Sequence, residues 1–204
     1  MSVAVIACGA LAVHVRQVAD RVGLDVEVFP VPAPLHNRPE LIAPAVDELA
    51  SSLRERHSRV VLAYADCGTY GALDSLGMER LRGDHCYDVF GREEVAEAMA
   101  EEPGTYFLTD FLARTFEHTV VRSLGLDRYP ELRDDYFGSY TRVLWLAQRR
   151  TPATERAARR AASRIGLPLE VRSVGDTGLE RELQRVVNGS NEEESEAGSL
   201  SSLC

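Results

Sequence analysis

Val3-Ala-Val-Ile-Ala-Cys8 is an unbroken apolar run of six residues, and it restricts the fold more than any other feature. It is too short for a packed helix and lacks the polar alternation of a half-exposed strand, so it predicts a strand buried on both faces. The pattern recurs at residues 26–31, 59–65, 105–109, 143–147 and 169–174. Between these runs lie helix-length amphipathic stretches at residues 11–22, 40–57, 92–101, 111–124, 154–165 and 179–187, several ended by glycine or proline. Strands alternating with helices predict an α/β fold: a mostly parallel sheet with helices on both faces, in three α/β/α layers.

A chain of 204 residues has enough material for one sizeable core and too little for two comfortable ones. Residues 1–187 are therefore read as a single α/β domain. Residues 188–204 are rich in Glu, Ser and Gly and read as a disordered acidic tail.

Composition removes several functions. A formal net charge of −9, partly from Glu192, Glu193, Glu194 and Glu196, argues against a nucleic-acid binder, which needs a positive field to displace counterions. All 23 basic residues are Arg, so Schiff-base chemistry on lysine, and with it pyridoxal-phosphate catalysis, is excluded. No apolar run reaches the roughly 18 residues of a membrane span, and Met1 to Val5 lack a basic leader, so a cytoplasmic location and no membrane partner are expected. No GxGxxG, phosphate loop or GxSxG elbow is present, which leaves nucleotide cofactors unsupported.

Four cysteines remain: Cys8, Cys67, Cys86 and Cys204. Cys204 ends the polar tail and reads as incidental. Ligands of parallel sheets bind beyond the carboxyl ends of the strands. Cys8 closes the first strand and Cys67 follows the third, each before a glycine that permits close backbone approach. Cys86 lies in the loop Gly83-Asp-His-Cys86, and His36 in the loop after the second strand. Cys8, Cys67 and Cys86 with His85 or His36 are therefore the expected metal ligands. Thiolate and imidazole donors favour zinc first and an iron–sulfur cluster second.

Two rival readings stand beside this one. The spacing contains no CxxC pair, and isolated cysteines are common as small buried hydrophobes in α/β cores. A metal-free Cys–His nucleophile pair is the third reading. Asp110, at the end of the fourth strand, and Asp66, before Cys67, are the acid/base candidates; each could equally cap a turn or helix. His14, His57 and His118 fall on helices or their ends and read as surface or packing residues.

The segments Ile6-Ala-Cys-Gly-Ala-Leu11, Leu35-His-Asn-Arg-Pro-Glu40, Ala63-Tyr-Ala-Asp-Cys-Gly-Thr69, Asp84-His-Cys-Tyr87 and Glu102-Pro-Gly-Thr-Tyr-Phe-Leu-Thr-Asp110 resemble the domain-of-unknown-function family numbered 1638. Tyr129-Pro-Glu-Leu-Arg133 and Tyr136-Phe-Gly138 are similar too, so the likeness spans about residues 3–187. It implies that the Cys and His positions form the family's signature, and it supplies no catalytic assignment. Some relatives of that family lie near corrinoid-dependent methyl-transfer systems, which would suit a zinc–thiolate site handling a thiol or a methyl group. The resulting expectation is a metal-dependent enzyme on a small-molecule substrate. Its rival is a non-catalytic metal- or corrinoid-binding accessory protein; a corrinoid protein as partner and a homo-oligomeric state fit either.

Overall fold

From Ala4 to Cys8 every side chain of the first strand is inaccessible to solvent, as an apolar run at the centre of a parallel sheet must be. In the computed structural model, which describes residues 2–189, the first half of the chain runs β1 (Val3–Cys8), α1 (Ala12–Val22), β2 (Val26–Val31), α2 (Ile42–Leu53) and β3 (Arg59–Ala63). It continues through α3 (Asp88–Glu101), β4 (Thr105–Thr109), α4 (Asp110–Phe116), α5 (Arg133–Phe137), β5 (Arg142–Ala147), α6 (Pro152–Ile165), β6 (Leu169–Ser173) and α7 (Thr177–Asn188). The fold is α/β with parallel strands throughout.

The expected single sheet is divided in two. β2-β1-β3 form one three-stranded sheet and β4-β5-β6 another. The division has a local cause. The free edge of β3 is taken by residues 79–84, which run beside it: the Leu62 amide donates to the Glu79 carbonyl (2.8 Å) and the Leu81 amide to the Leu62 carbonyl (3.2 Å). The pairing extends past the strand, with the Asp66 amide on the Gly83 carbonyl (3.0 Å) and the Cys67 amide on the Asp84 carbonyl (2.8 Å). β4 finds that edge already satisfied and starts a second sheet.

Each sheet builds its own core. The first is packed by α1, α2 and α7, whose Leu179, Leu183 and Val186 are fully buried against β1 and β3 residues. In the second, β5 alternates between faces as a strand must: Val143, Trp145 and Ala147 pack with α4 and α6, while Leu144 and Leu146 meet Val95 and Ala98 of α3. The last helix leaves the second sheet and returns to the first core, tying the halves together. α7 reaches Asn188, one residue into the segment expected as tail. Residues 190–204, including Cys204, lie outside the described residues.

Strand register gathers the loops of the first sheet at one end. Cys8 is level with Val31, and Ala7 with Ala63, so the chain leaves β1, β2 and β3 at the same sheet edge. Helix boundaries follow the amphipathic pattern with two exceptions. Gly91 breaks the helical backbone inside α3, and the expected helix over 111–124 changes to π-helical geometry at Glu117–Arg122. Among the described residues no helix is long and apolar enough to cross a membrane.

Candidate metal centre

Three loops deliver four ligand-type side chains to one point. Cys8 is the last residue of β1. The Pro32-Ala-Pro-Leu-His36 segment after β2 folds into a short 3-10 turn over Ala33–Asn37. The ladder between residues 62–67 and 79–84 carries the chain beyond it, and so sets Cys86 beside Cys67. The Cys8 Sγ lies 3.6 Å from His36 Nε2 and 3.8 Å from Cys86 Sγ, and Cys86 Sγ lies 3.7 Å from His36 Nε2. All three donor atoms fall within 4.8 Å of one another.

These distances have a specific meaning. Zinc–sulfur bonds of about 2.3 Å and zinc–nitrogen bonds of about 2.0–2.1 Å at tetrahedral angles separate two sulfurs by about 3.8 Å and a sulfur from a nitrogen by about 3.6 Å. Cys8, His36 and Cys86 thus have the spacing of three corners of one zinc tetrahedron, and the cluster can hold a metal ion. Cys67 does not share this spacing. Its sulfur lies 2.9 Å from that of Cys86, inside a tetrahedral edge and well beyond the roughly 2.05 Å of a disulfide. Its backbone is left-handed (φ 52°), a costly conformation for a non-glycine residue that functional sites often retain.

The histidine tautomer is set from behind. His36 Nδ1 donates to the Ala33 carbonyl at 3.0 Å, which turns Nε2 towards the sulfurs, the orientation of metal-bound histidines generally. Tyr64 stacks on the ring at 6.2 Å between centroids; its hydroxyl is buried and has no hydrogen-bond partner. Burial and the surrounding thiolates push that phenol above its ordinary range, so it remains a donor beside the sulfurs.

Without an ion the cluster shares its protons unevenly. Burial would raise Cys8, but hydrogen bonds from Cys86 and His36 hold it well below the usual thiol range. The Cys86 thiol, joined by His36, brings Cys67 down to about 6 against the effect of burial. Cys86 is raised well above its ordinary value by donating to Cys67 and Cys8 and by burial. Burial would lower His36, but Cys67 and Cys8 outweigh it and push it up to about 11.

The other expected residues lie elsewhere. His85 is more than half exposed, stacks on Tyr87 at 4.8 Å and has its Nδ1 3.9 Å from the Asp88 carboxylate; it stands outside the group of donors. Asp66 accepts from the Thr69 hydroxyl (2.7 Å) and the Gly71 amide (3.1 Å). Burial acts against these bonds, which with Arg80 nearby still set its carboxyl below the usual range. Asp110 is buried and its oxygens accept from Trp145 Nε1 (2.8 Å) and the amides of Gln148 (3.3 Å) and Arg149 (2.7 Å). Thr109, not Asp110, caps α4 by accepting from the Leu112 amide.

The sulfurs open onto a cleft of about 480 Å³ between the two halves, lined by His36, Cys67 and Cys86 on one side and by β4, α4 and the π-helical turn on the other. Tyr87 stacks on Phe107 at 4.9 Å, joining the Cys86 loop to the second sheet along one wall. Two contributors escaped the sequence reading. Tyr64 passed for a strand residue, although a tyrosine two residues before Asp66-Cys67 was a usable signal. His118 reads as a helix-surface residue; the π-helical turn brings it to the cleft, a distortion no pattern announces. His14 and His57 are buried, paired with Asp176 (3.2 Å) and Ser2 (3.1 Å).

Gly9 offers an early test of this geometry. A Cβ there would meet the Val31 carbonyl at 2.7 Å and the Ala33 amide at 2.8 Å, both backbone atoms that must shift. Ala33 supplies the carbonyl that orients His36. Gly9→Ala is therefore expected to weaken zinc binding by about 10–100-fold, the usual effect of disturbing a ligand's support, as read by competition with a chromophoric chelator. Unchanged affinity would show that the Ala33 contact does not govern His36.

A family model described as "Protein of unknown function (DUF1638)" matches residues 30–183. No curated protein and no solved structure matches the chain.

Proposed function

The chain belongs to the DUF1638 family, and we propose that it is a zinc-dependent enzyme acting on a small molecule in the cleft between its halves. The spacing of Cys8, His36 and Cys86 carries this reading. Two thiolates and an imidazole with a fourth position open to exchange are a donor set of catalytic zinc sites. Bound there, zinc supplies Lewis acidity and lowers the pKa of the group in the fourth position.

The residues divide the work. Cys8, Cys86 and His36, the last locked by Ala33, would hold the ion, and Cys67 stands beside the fourth position on the cleft wall. Tyr64 stacks on the His36 ring. The iron–sulfur alternative has less support, because the Cys8 and Cys86 sulfurs, 3.8 Å apart, span the edge of one metal tetrahedron and not the width of a cube of irons and sulfides.

Metal analysis of the purified full-length chain is the test, with the visible spectrum taken without air. About one zinc per chain and no colour are expected. Titrating zinc into the metal-free chain near pH 7 should release protons, because ligands must be deprotonated to bind. Failure to take up zinc from a saturating solution overturns the reading, and a brown, iron-containing product replaces it with the cluster.

A further inference from the structure

The cleft differs from the rest of the molecule in charge. Asp, Glu and Arg make up 27% of the chain, yet none of the nineteen residues lining the cleft is one of them. Its walls are apolar and aromatic, with Pro34, Tyr87, Phe107, Phe111, Leu112 and Val120. The polar groups that interrupt them are hydroxyls, an amide and the imidazoles of His85 and His118. Concavity alone does not explain this. A depression of about 680 Å³ between α4 and α6 is edged by Arg114, Arg159, Arg160, Arg164 and Glu117, so the chain does place charge in hollows elsewhere.

A site that takes a phosphate or carboxylate substrate presents cationic donors to it, and one that takes an amine presents carboxylates, because moving a charge into an apolar cleft without a partner is costly. Among its lining residues this cleft offers no carboxylate and no guanidinium, only imidazoles. Its floor is the fourth corner of a soft, sulfur-rich centre, which favours a soft donor over a hard one. Resting on the assignment of that centre to zinc, we propose that the cleft takes an uncharged, largely apolar thiol, whose sulfur replaces Cys67 at the metal.

Cys67 is the donor the geometry makes replaceable. It sits off the spacing shared by the other three, it lines the cleft, and its left-handed backbone is strained. Cys8 is fully buried and His36 is tied to Ala33, so neither can leave easily. The exchange balances internally. The incoming S–H gives its proton to the departing Cys67 thiolate, the new sulfur takes its place, and no oxidant or other reactant is required.

The experiment uses the full-length chain reconstituted with cobalt(II), whose sulfur charge-transfer and visible bands report ligand exchange. Butanethiol, 2-mercaptoethanesulfonate and cysteamine are titrated in as neutral, anionic and cationic thiols. Butanethiol is expected to change the bands at about tenfold or more lower concentration than either charged thiol. Phe111→Arg should shift the preference towards the sulfonate. Charged thiols acting at equal or lower concentration, or no response to butanethiol, overturn the proposal. An unaltered preference in Phe111→Arg also overturns it, since the thiol would then bind outside the cleft. Absence of cobalt–thiolate bands before any thiol is added overturns the metal centre itself, which keeps the two failures distinct.

Discussion

Cys8→Ser is expected to lower zinc affinity by more than about 100-fold, while Cys67→Ser lowers it by only about tenfold. The two substitutions remove the same donor atom, so any difference between them comes from position. Cys8 closes a strand whose last five residues are fully buried, and its sulfur makes the 3.6 and 3.8 Å edges to His36 and Cys86. Disturbing only the support of a ligand already costs about 10–100-fold, so loss of the ligand itself should exceed that range. Cys67 stands at the accessible corner, where water can replace it with the tetrahedron intact. Chelator competition on both variants, with circular dichroism to confirm folding, decides the matter. Equal losses would place Cys67 among the fixed ligands, and no loss at Cys8 would remove the centre.

Much of this arrangement was legible in the residues and some of it was not. The apolar runs marked the strands, because a central parallel strand has no polar face to hide. The convergence of loops at the strand ends follows from parallel topology, and it suggested grouping Cys8, Cys67 and Cys86. The choice between His36 and His85 was not legible. It depends on a 3-10 turn after β2 that orients one imidazole and on a stack with Tyr87 that diverts the other. The split of the sheet was hidden for a similar reason. Residues 79–84 carry no strand signal, with charged side chains at Glu79, Arg80, Arg82 and Asp84. They pair with β3 mainly through backbone hydrogen bonds, which any sequence can make, joined by one ion pair between Arg59 and Glu79 at 2.7 Å.

Asp110→Ala is expected to destabilise the chain by about 3–5 kcal/mol, since hydrogen bonds to a charged group contribute about 1.5–3 kcal/mol each and buried donors left unpaired cost more than the bonds are worth. Trp145 Nε1 and the amides of Gln148 and Arg149 would all lose their acceptor, and Trp145 is among the largest fully buried side chains. At about 2–4 °C per kcal/mol for a chain of this size, the melting temperature should fall by roughly 10 °C. Zinc affinity should stay within about twofold, because Asp110 touches none of the donors and its carboxylate bonds only to β5 and the loop that follows it. Asp110→Asn should fall between the two, since the amide keeps one acceptor oxygen and sets its NH₂ against donors. A thermal melt and a zinc titration on the two variants separate this role from the acid/base role that the end of β4 suggested. Normal stability in Asp110→Ala with altered zinc or thiol binding would return Asp110 to the site.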